Sequence, residues 1–260
     1  MAEQAGEQPG EQTDGQAGEH RAGELAANLA DVRRRVADAE AAAGRPAGSV
    51  RLVVVTKTFP ASDVRLLAGC GATDVGESRE PEAGEKARAC ADLGLRWHQV
   101  GQVQTKKAAA VAAWADVVHS VDRERLVAAL QRGHRRALEE GVRPAGHVLD
   151  VLVQVDLADD DERDPGRGGA APHEVADLAA AVAAAEGLRL AGVMAVAPAG
   201  ADPRGPFERL AQVAARVRVD HPGAVAVSAG MSGDLEAAVD AGATHVRVGR
   251  AVLGARPPIV

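Results

Sequence analysis

No tyrosine occurs in this chain of 260 residues, and Phe and Trp number two each. Chemistry that needs a tyrosine as acid, as base or as a platform for stacking nucleobases is therefore excluded. Apolar runs are short. None approaches the roughly 18 residues of a membrane span, and the N-terminus is polar and acidic where a secretory signal would be basic and then apolar. Cysteine is scarce too. Cys70 and Cys90 form neither a metal-ligand spacing nor a disulfide framework, which suits a reducing cytosol.

What charge there is sits unevenly. Residues 1–20 hold Glu3, Glu7, Glu11, Asp14 and Glu19 with no Lys or Arg, while the whole chain carries a net −7. The remaining body is nearly neutral, without the basic footprint of a nucleic-acid binder. With Glu-Gln repeated at 3, 7 and 11 among Gly, Ala and Pro9, this segment has little to bury and reads as a disordered acidic tail. A helix follows on the spacing of Leu25, Leu29, Val32 and Val36, ended by Gly44 and Pro46.

From Arg51 onward one pattern recurs, in which short β-branched runs alternate with alanine-rich helical stretches. The strands are expected at 51–56, 73–76, 96–101, 116–121, 147–155, 189–195, 223–228 and 244–248. Helices are expected near 61–69, 79–92, 105–113, 123–140, 173–186, 207–220 and 233–240, with a last turn at 249–254. Such alternation implies βαβ crossovers and a parallel sheet. Eight units close a (β/α)8 TIM barrel; an open doubly wound sheet uses the same alternation, but no Gly-x-Gly-x-x-Gly follows the first strand. The expectation is a single barrel domain over 21–260, with the extra N-terminal helix beneath or beside it and no second domain.

Function in such barrels gathers where strands end. Lys57 follows the first strand within Thr56-Lys57-Thr58. At a barrel mouth, desolvation disfavours its ammonium form and makes the amine a Schiff-base nucleophile; a surface lysine just past a strand has the same position. After strand seven comes Ser228-Ala229-Gly230-Met231-Ser232-Gly233-Asp234, and after strand eight Gly249-Arg250. Glycines let backbone N–H groups approach an anion, and the loops after strands seven and eight are the recurrent phosphate site of TIM barrels. Helix capping by Ser232 or Asp234 accounts for part of the same pattern. A Schiff-base lysine with a phosphate cup describes pyridoxal phosphate, and equally a sugar-phosphate aldolase.

Arg247 inside strand eight bears on the choice. An arginine against a pyridine nitrogen only donates, keeping that nitrogen unprotonated and the cofactor a weak electron sink. A strand arginine paired with a carboxylate is the alternative. His98 in strand three reads as a wall residue before a catalytic one. The acidic loop Asp159–Asp164 reads as a solvated loop and not a metal site, and Arg167-Gly168-Gly169 as a segment near the mouth. Lys86, Lys106 and Lys107 fall on or at the starts of helices, where solvent should keep them protonated.

In order and spacing, these residues resemble the pyridoxal-phosphate homeostasis proteins (the YggS/PROSC-like family), whose fold matches the N-terminal barrel of alanine racemase. The likeness runs from about Leu25 to Ala255. It includes Asn28-Leu29, Ala43-Gly44-Arg45, Val55-Thr56-Lys57-Thr58, Gly76-Glu77 and Trp97-His98-Gln99-Val100-Gly101 with Gln104 and Lys106-Lys107. It continues through His119-Ser120-Val121-Asp122, Gly192-Val193-Met194-Ala195, Gly230-Met231-Ser232 with Asp234 and Glu236-Ala237-Ala238, and Val246-Arg247-Val248-Gly249.

The resemblance implies a cytoplasmic, monomeric barrel carrying pyridoxal 5′-phosphate as an aldimine of Lys57. Its phosphate grip maps to Ser228, Gly230, Met231, Ser232 and Gly249, and its ring-nitrogen arginine to Arg247. It implies a role in vitamin B6 and amino-acid balance without robust turnover, with pyridoxal-phosphate-dependent apo-enzymes as candidate recipients and no membrane or nucleic-acid partner. A racemase-type enzyme using the same cofactor is the alternative. Racemisation needs a base on each face of the cofactor, and alanine racemase takes its second, a tyrosine, from an additional domain. Three positions depart from the family pattern. Phe59 replaces a lysine, Ser78 replaces an asparagine that would touch the cofactor, and Arg250 replaces a small hydroxyl residue.

Overall fold

The computed structural model describes residues 9–158, 168–198, 200 and 202–255, with side chains from Gly18 onward. Its centre is a closed barrel of eight parallel strands in sequential order. They are β1 (Arg51–Val55), β2 (Asp74–Glu77), β3 (Arg96–Gln99), β4 (Val117–Val121), β5 (Leu149–Gln154), β6 (Leu188–Met194), β7 (Ala226–Ser228) and β8 (His245–Val248). The closing pair is β1 with β8, in a register that sets Val53 beside Arg247. Strands covered by helices on one side and by the barrel interior on the other are buried on both faces, so Val-rich runs are the sequence that suits them. The expected (β/α)8 barrel is what forms.

The helices are α1 (Pro9–Ala42), α2 (Ala61–Gly69), α3 (Glu82–Ala89), α4 (Ala108–Ala112), α5 (Glu124–Glu139), α6 (Val175–Ala184), α7 (Arg204–Asp220), α8 (Leu235–Asp240) and α9 (Arg250–Leu253). Two of them, α3 and α4, start three residues later than expected. Pro81 delays α3 to Glu82, and after Cys90 the chain tightens into a 3-10 turn ended by left-handed Gly94. The stretch expected as one helix from residue 105 starts as a 3-10 turn, Thr105–Lys107, before α4.

Helix α1 begins earlier than expected. Residues 9–20, read from composition as tail, continue the helix, while residues 1–8 lie outside the described residues. Ala, Glu and Gln are strong helix formers, which suffices locally although residues 18–20 are exposed. Anchoring starts further on. Leu25, Leu29, Val32 and Val36 are buried in one cluster with Leu67, Val239, Val252 and Leu253, so α1 lies beside the barrel against α2, α8 and α9. Four such side chains stabilise by about 1.5–3 kcal/mol each. The Glu40 carboxylate then accepts from Val50 N at 2.6 Å and Gly48 N at 3.0 Å, aiming the chain into β1.

One glycine is demanded by the barrel itself. Gly192 in β6 has φ +153, and a Cβ there would stand 1.8 Å from the Ala226 carbonyl oxygen. The acidic loop Asp159–Asp164 and Arg167 lie outside the described residues; Ala170 rejoins the barrel by bridging to Val155. Among the described residues, no helix is long and apolar enough to cross a membrane.

Candidate functional site

At the C-terminal end of the barrel a cavity of about 450 Å³ opens where β1, β3, β6, β7 and β8 end. Such a volume suits a small organic ligand. Lys57 stands on its wall, half-buried, one residue beyond the extended end of β1 at Thr56. The turn that presents it is tight. Phe59 N donates to Thr56 O at 3.1 Å, and Thr58 is held at φ +70, a left-handed conformation rare for a β-branched residue.

Arg247 projects from β8 into the same cavity. Its Nη1 donates to Ser228 Oγ at 2.6 Å and its Nη2 to the Ala195 carbonyl at 2.9 Å. Burial pushes its pKa down to about 10, with Asp234 opposing, so it remains a cation at neutral pH. Among the described residues the alternative of a strand arginine paired with a carboxylate does not hold, since both hydrogen-bond partners of the guanidinium are neutral oxygens.

Ser232, Gly233, Gly249 and Arg250 complete the polar wall; Val55, Phe59, Val100, Val196, Met231 and Gly254 supply the remainder. Among the described residues this wall holds three basic side chains, Lys57, Arg247 and Arg250, and no carboxylate. It is built for an anion with an apolar body. Arg250 is exposed yet lines the cavity, so it adds charge at the rim.

Three of the residues expected at the site stand elsewhere. Ser228 is fully buried behind the wall, its hydroxyl between Arg247 and His119. Gly230 also lies behind it, at φ +87, where a Cβ would meet the Ala238 Cβ at 2.7 Å; its carbonyl accepts from Arg247 N. Ser78 lines a separate, smaller cavity of about 260 Å³ with Gln99 and Gln102. Met231 is on the main wall, but its N–H donates to Asp234 Oδ1 at 2.6 Å and is already taken. His98 sits wholly inside the barrel, hydrogen-bonded to Asp74 and His119, and is a wall residue as expected.

Sequence reasoning passed over the support behind Lys57. Lys86 on α3 is not solvated. Its Nζ pairs with Glu77 Oε1 at 2.6 Å, and its side chain is 10% exposed against 3% for Glu77. Glu77 ends β2, and the strand-end polarity that singled out Lys57 was equally visible there. Lys106 and Lys107 are exposed, as expected.

Comparison with known proteins follows the same lines. Residues 25–257 match the family described as alanine racemase, N-terminal domain. A pyridoxal phosphate homeostasis protein of Mycobacterium tuberculosis is 46% identical over 246 residues, covering 91% of this chain and 94% of the relative. Its Escherichia coli counterpart is 34% identical, covering 90% and 97%. The chain belongs to this family. Among solved structures, PipY of Synechococcus elongatus with pyridoxal phosphate bound superposes with a TM-score of 0.74 at 28% identity, covering 88% of this chain and all of that one. Alanine racemase of Corynebacterium glutamicum, at 16% identity and a TM-score of 0.62, shares the fold, and the match covers 61% of its length.

Proposed function

We propose that the cavity binds pyridoxal 5′-phosphate and that the protein acts in the cell's balance of this cofactor. The observation that carries the reading is the wall itself, which among the described residues has three cations and no carboxylate, one of those cations a strand-end lysine. The Lys57 amine condenses with the cofactor aldehyde, and one water leaves as the C=N bond forms. Ser232, Gly233, Gly249 and Arg250 face the phosphate, using a hydroxyl, close backbone approach and charge. Arg247 faces the pyridine nitrogen and, being a donor only, leaves that nitrogen unprotonated.

Relatives named for pyridoxal phosphate homeostasis, and a neighbour whose structure holds the cofactor, support the same conclusion. The protein stores or hands on the cofactor without turning over amino acids. No tyrosine is present to serve as a second base, and His98 is too deeply buried to replace one. The apolar lining, Val55, Phe59, Val100, Val196 and Met231, favours a ligand with an apolar ring over an open-chain sugar phosphate.

The test is an absorption spectrum of purified protein loaded with pyridoxal phosphate, before and after borohydride, followed by peptide mapping. A near-visible band that borohydride abolishes, with the label on Lys57, is expected. Lys57→Ala should lose the band while keeping the fold, and single amino acids should not be consumed. A label on Lys86, Lys106 or Lys107 with Lys57 unmodified would overturn the assignment, and steady racemisation of an amino acid would overturn the non-catalytic role.

A further inference from the structure

A continuous line of side chains crosses the barrel interior from the cavity to its opposite, N-terminal end. Arg247 on β8 meets Ser228 on β7 at 2.6 Å. The Ser228 hydroxyl lies 3.0 Å from His119 Nδ1 on β4, across the barrel axis. His119 Nε2 lies 2.9 Å from His98 Nδ1 on β3, and His98 Nε2 lies 2.8 Å from Asp74 Oδ1 on β2. All five residues are at least nine-tenths buried. Barrel interiors are usually filled by branched apolar residues, and a buried polar line costs stability unless every member is satisfied.

The two ends of the line fix its direction. A guanidinium only donates and a carboxylate only accepts. Asp74 stays ionised, its pKa near 2 because hydrogen bonds from His98 and Thr73 and the charge of Arg51 outweigh its burial. Burial lowers the pKa of both His98 and His119, so each is a neutral ring with one donor and one acceptor nitrogen. A single assignment satisfies all four bonds. His98 Nε2–H donates to Asp74, His119 Nε2–H donates to His98 Nδ1, the Ser228 hydroxyl donates to His119 Nδ1, and Arg247 donates to Ser228.

We propose that His119 and His98 are positioning residues for Arg247. They hold Ser228 with its hydrogen turned away and its lone pairs toward the guanidinium. Ser228 Oγ and the Ala195 carbonyl then fix the Nη1 and Nη2 edges of a side chain that lines the cavity. Ser228 is in this account an anchor for the arginine and no phosphate ligand. The identity of the group that Arg247 meets rests on the proposed cofactor; the direction of the line does not.

Imidazole nitrogen spectra of the cofactor-free protein test the direction. Both His98 and His119 should be Nε2–H tautomers at neutral pH, and an Nδ1–H form of either overturns the proposal. Ser228→Ala and His119→Leu test the consequence. Each should weaken pyridoxal phosphate binding by about tenfold or more, shift the absorption of the bound cofactor, and speed exchange of the Arg247 side-chain N–H protons. His119→Gln can accept at Oε1 and donate at Nε2, so it should recover affinity and spectrum. Wild-type affinity and spectrum in both variants would overturn the idea, as would a loss that follows melting temperature alone with no spectral shift and no rescue. If wild-type protein binds no pyridoxal phosphate, the proposed function fails, while tautomers and Arg247 proton exchange still decide whether the line positions the arginine.

Discussion

Lys86 donates to the carbonyl oxygen of Thr56 at 2.9 Å, bracing the residue that precedes Lys57. The same ammonium pairs with Glu77, which also accepts the Thr56 hydroxyl at 2.7 Å. The end of β1 is thus clamped by a buried ion pair from β2 and α3. Removing one partner leaves a buried charge, so Lys86→Met should cost about 3–5 kcal/mol in urea unfolding. The double change Glu77→Leu with Lys86→Met should regain most of that stability. It should nonetheless bind pyridoxal phosphate more weakly, because the turn carrying Lys57 has lost its brace. A single variant as stable as wild type would show that the pair does not form.

The turn itself stores strain at Thr58, whose φ of +70 suits glycine. Thr58→Gly removes that strain but adds freedom to the unfolded chain, and the two effects oppose each other. Strain at a β-branched residue is the larger, of order 1–3 kcal/mol, so a net gain of about 1 kcal/mol is expected. Thermal unfolding measures it. A loss of stability would mean that the left-handed conformation is not populated in solution.

How much could be read before the structure depended on what each signal measures. Strand runs such as Leu52–Val55 and helix periodicity over α5 announced themselves because burial imposes period and composition. The places of Lys57, Arg247 and Gly249 on the cavity wall were legible because barrel cavities open at strand ends. Ser228 also ends a strand, and position alone gives no hint that its side chain turns inward to His119 instead of outward to a ligand. Glu77 and Lys86 were not paired in advance because their contact joins β2 to α3, which depends on packing. Helix α1 starts before the expected segment because a composition poor in apolar residues says little about helix, which local propensity alone favours in Ala, Glu and Gln.

Arg247 and Arg250 offer a direct comparison of two cations on one wall. Arg247 is 5% exposed and held by two hydrogen bonds, whereas Arg250 stands at the rim. Arg247→Glu should abolish or strongly weaken cofactor binding, since it puts an unpaired carboxylate into a buried anion site. Any cofactor still bound should absorb differently, because a carboxylate favours a protonated pyridine nitrogen. Arg250→Ala removes one screened charge at the cavity rim and should cost no more than a few-fold in affinity. Titration of both variants by absorbance decides the matter; equal effects would place Arg247 outside the ring-nitrogen position.

The histidines inside the barrel also predict how the protein responds to acid. Burial lowers the pKa of His98 and His119, and that of His245 to about 3, with neighbouring positive charge adding to the last two. An unfolded chain takes up these protons near pH 6.5, whereas the folded barrel does not until its own lower values are reached. Between those limits the unfolded state binds more protons, so stability falls as pH falls. Each histidine contributes a slope of up to about 1.4 kcal/mol per pH unit once the pH is well below 6.5. Asp74, its pKa lowered from 3.8 to about 2, adds a further loss only at still lower pH, as pH falls from 3.8 towards 2. The melting temperature of the cofactor-free protein should therefore hold near neutrality and drop progressively from about pH 6 to pH 4. His119→Gln carries one fewer titrating ring and should show a shallower decline over the same range. A flat profile for the wild type would mean that His98 and His119 are already protonated in the folded barrel, which is incompatible with both rings donating and accepting along the line to Arg247.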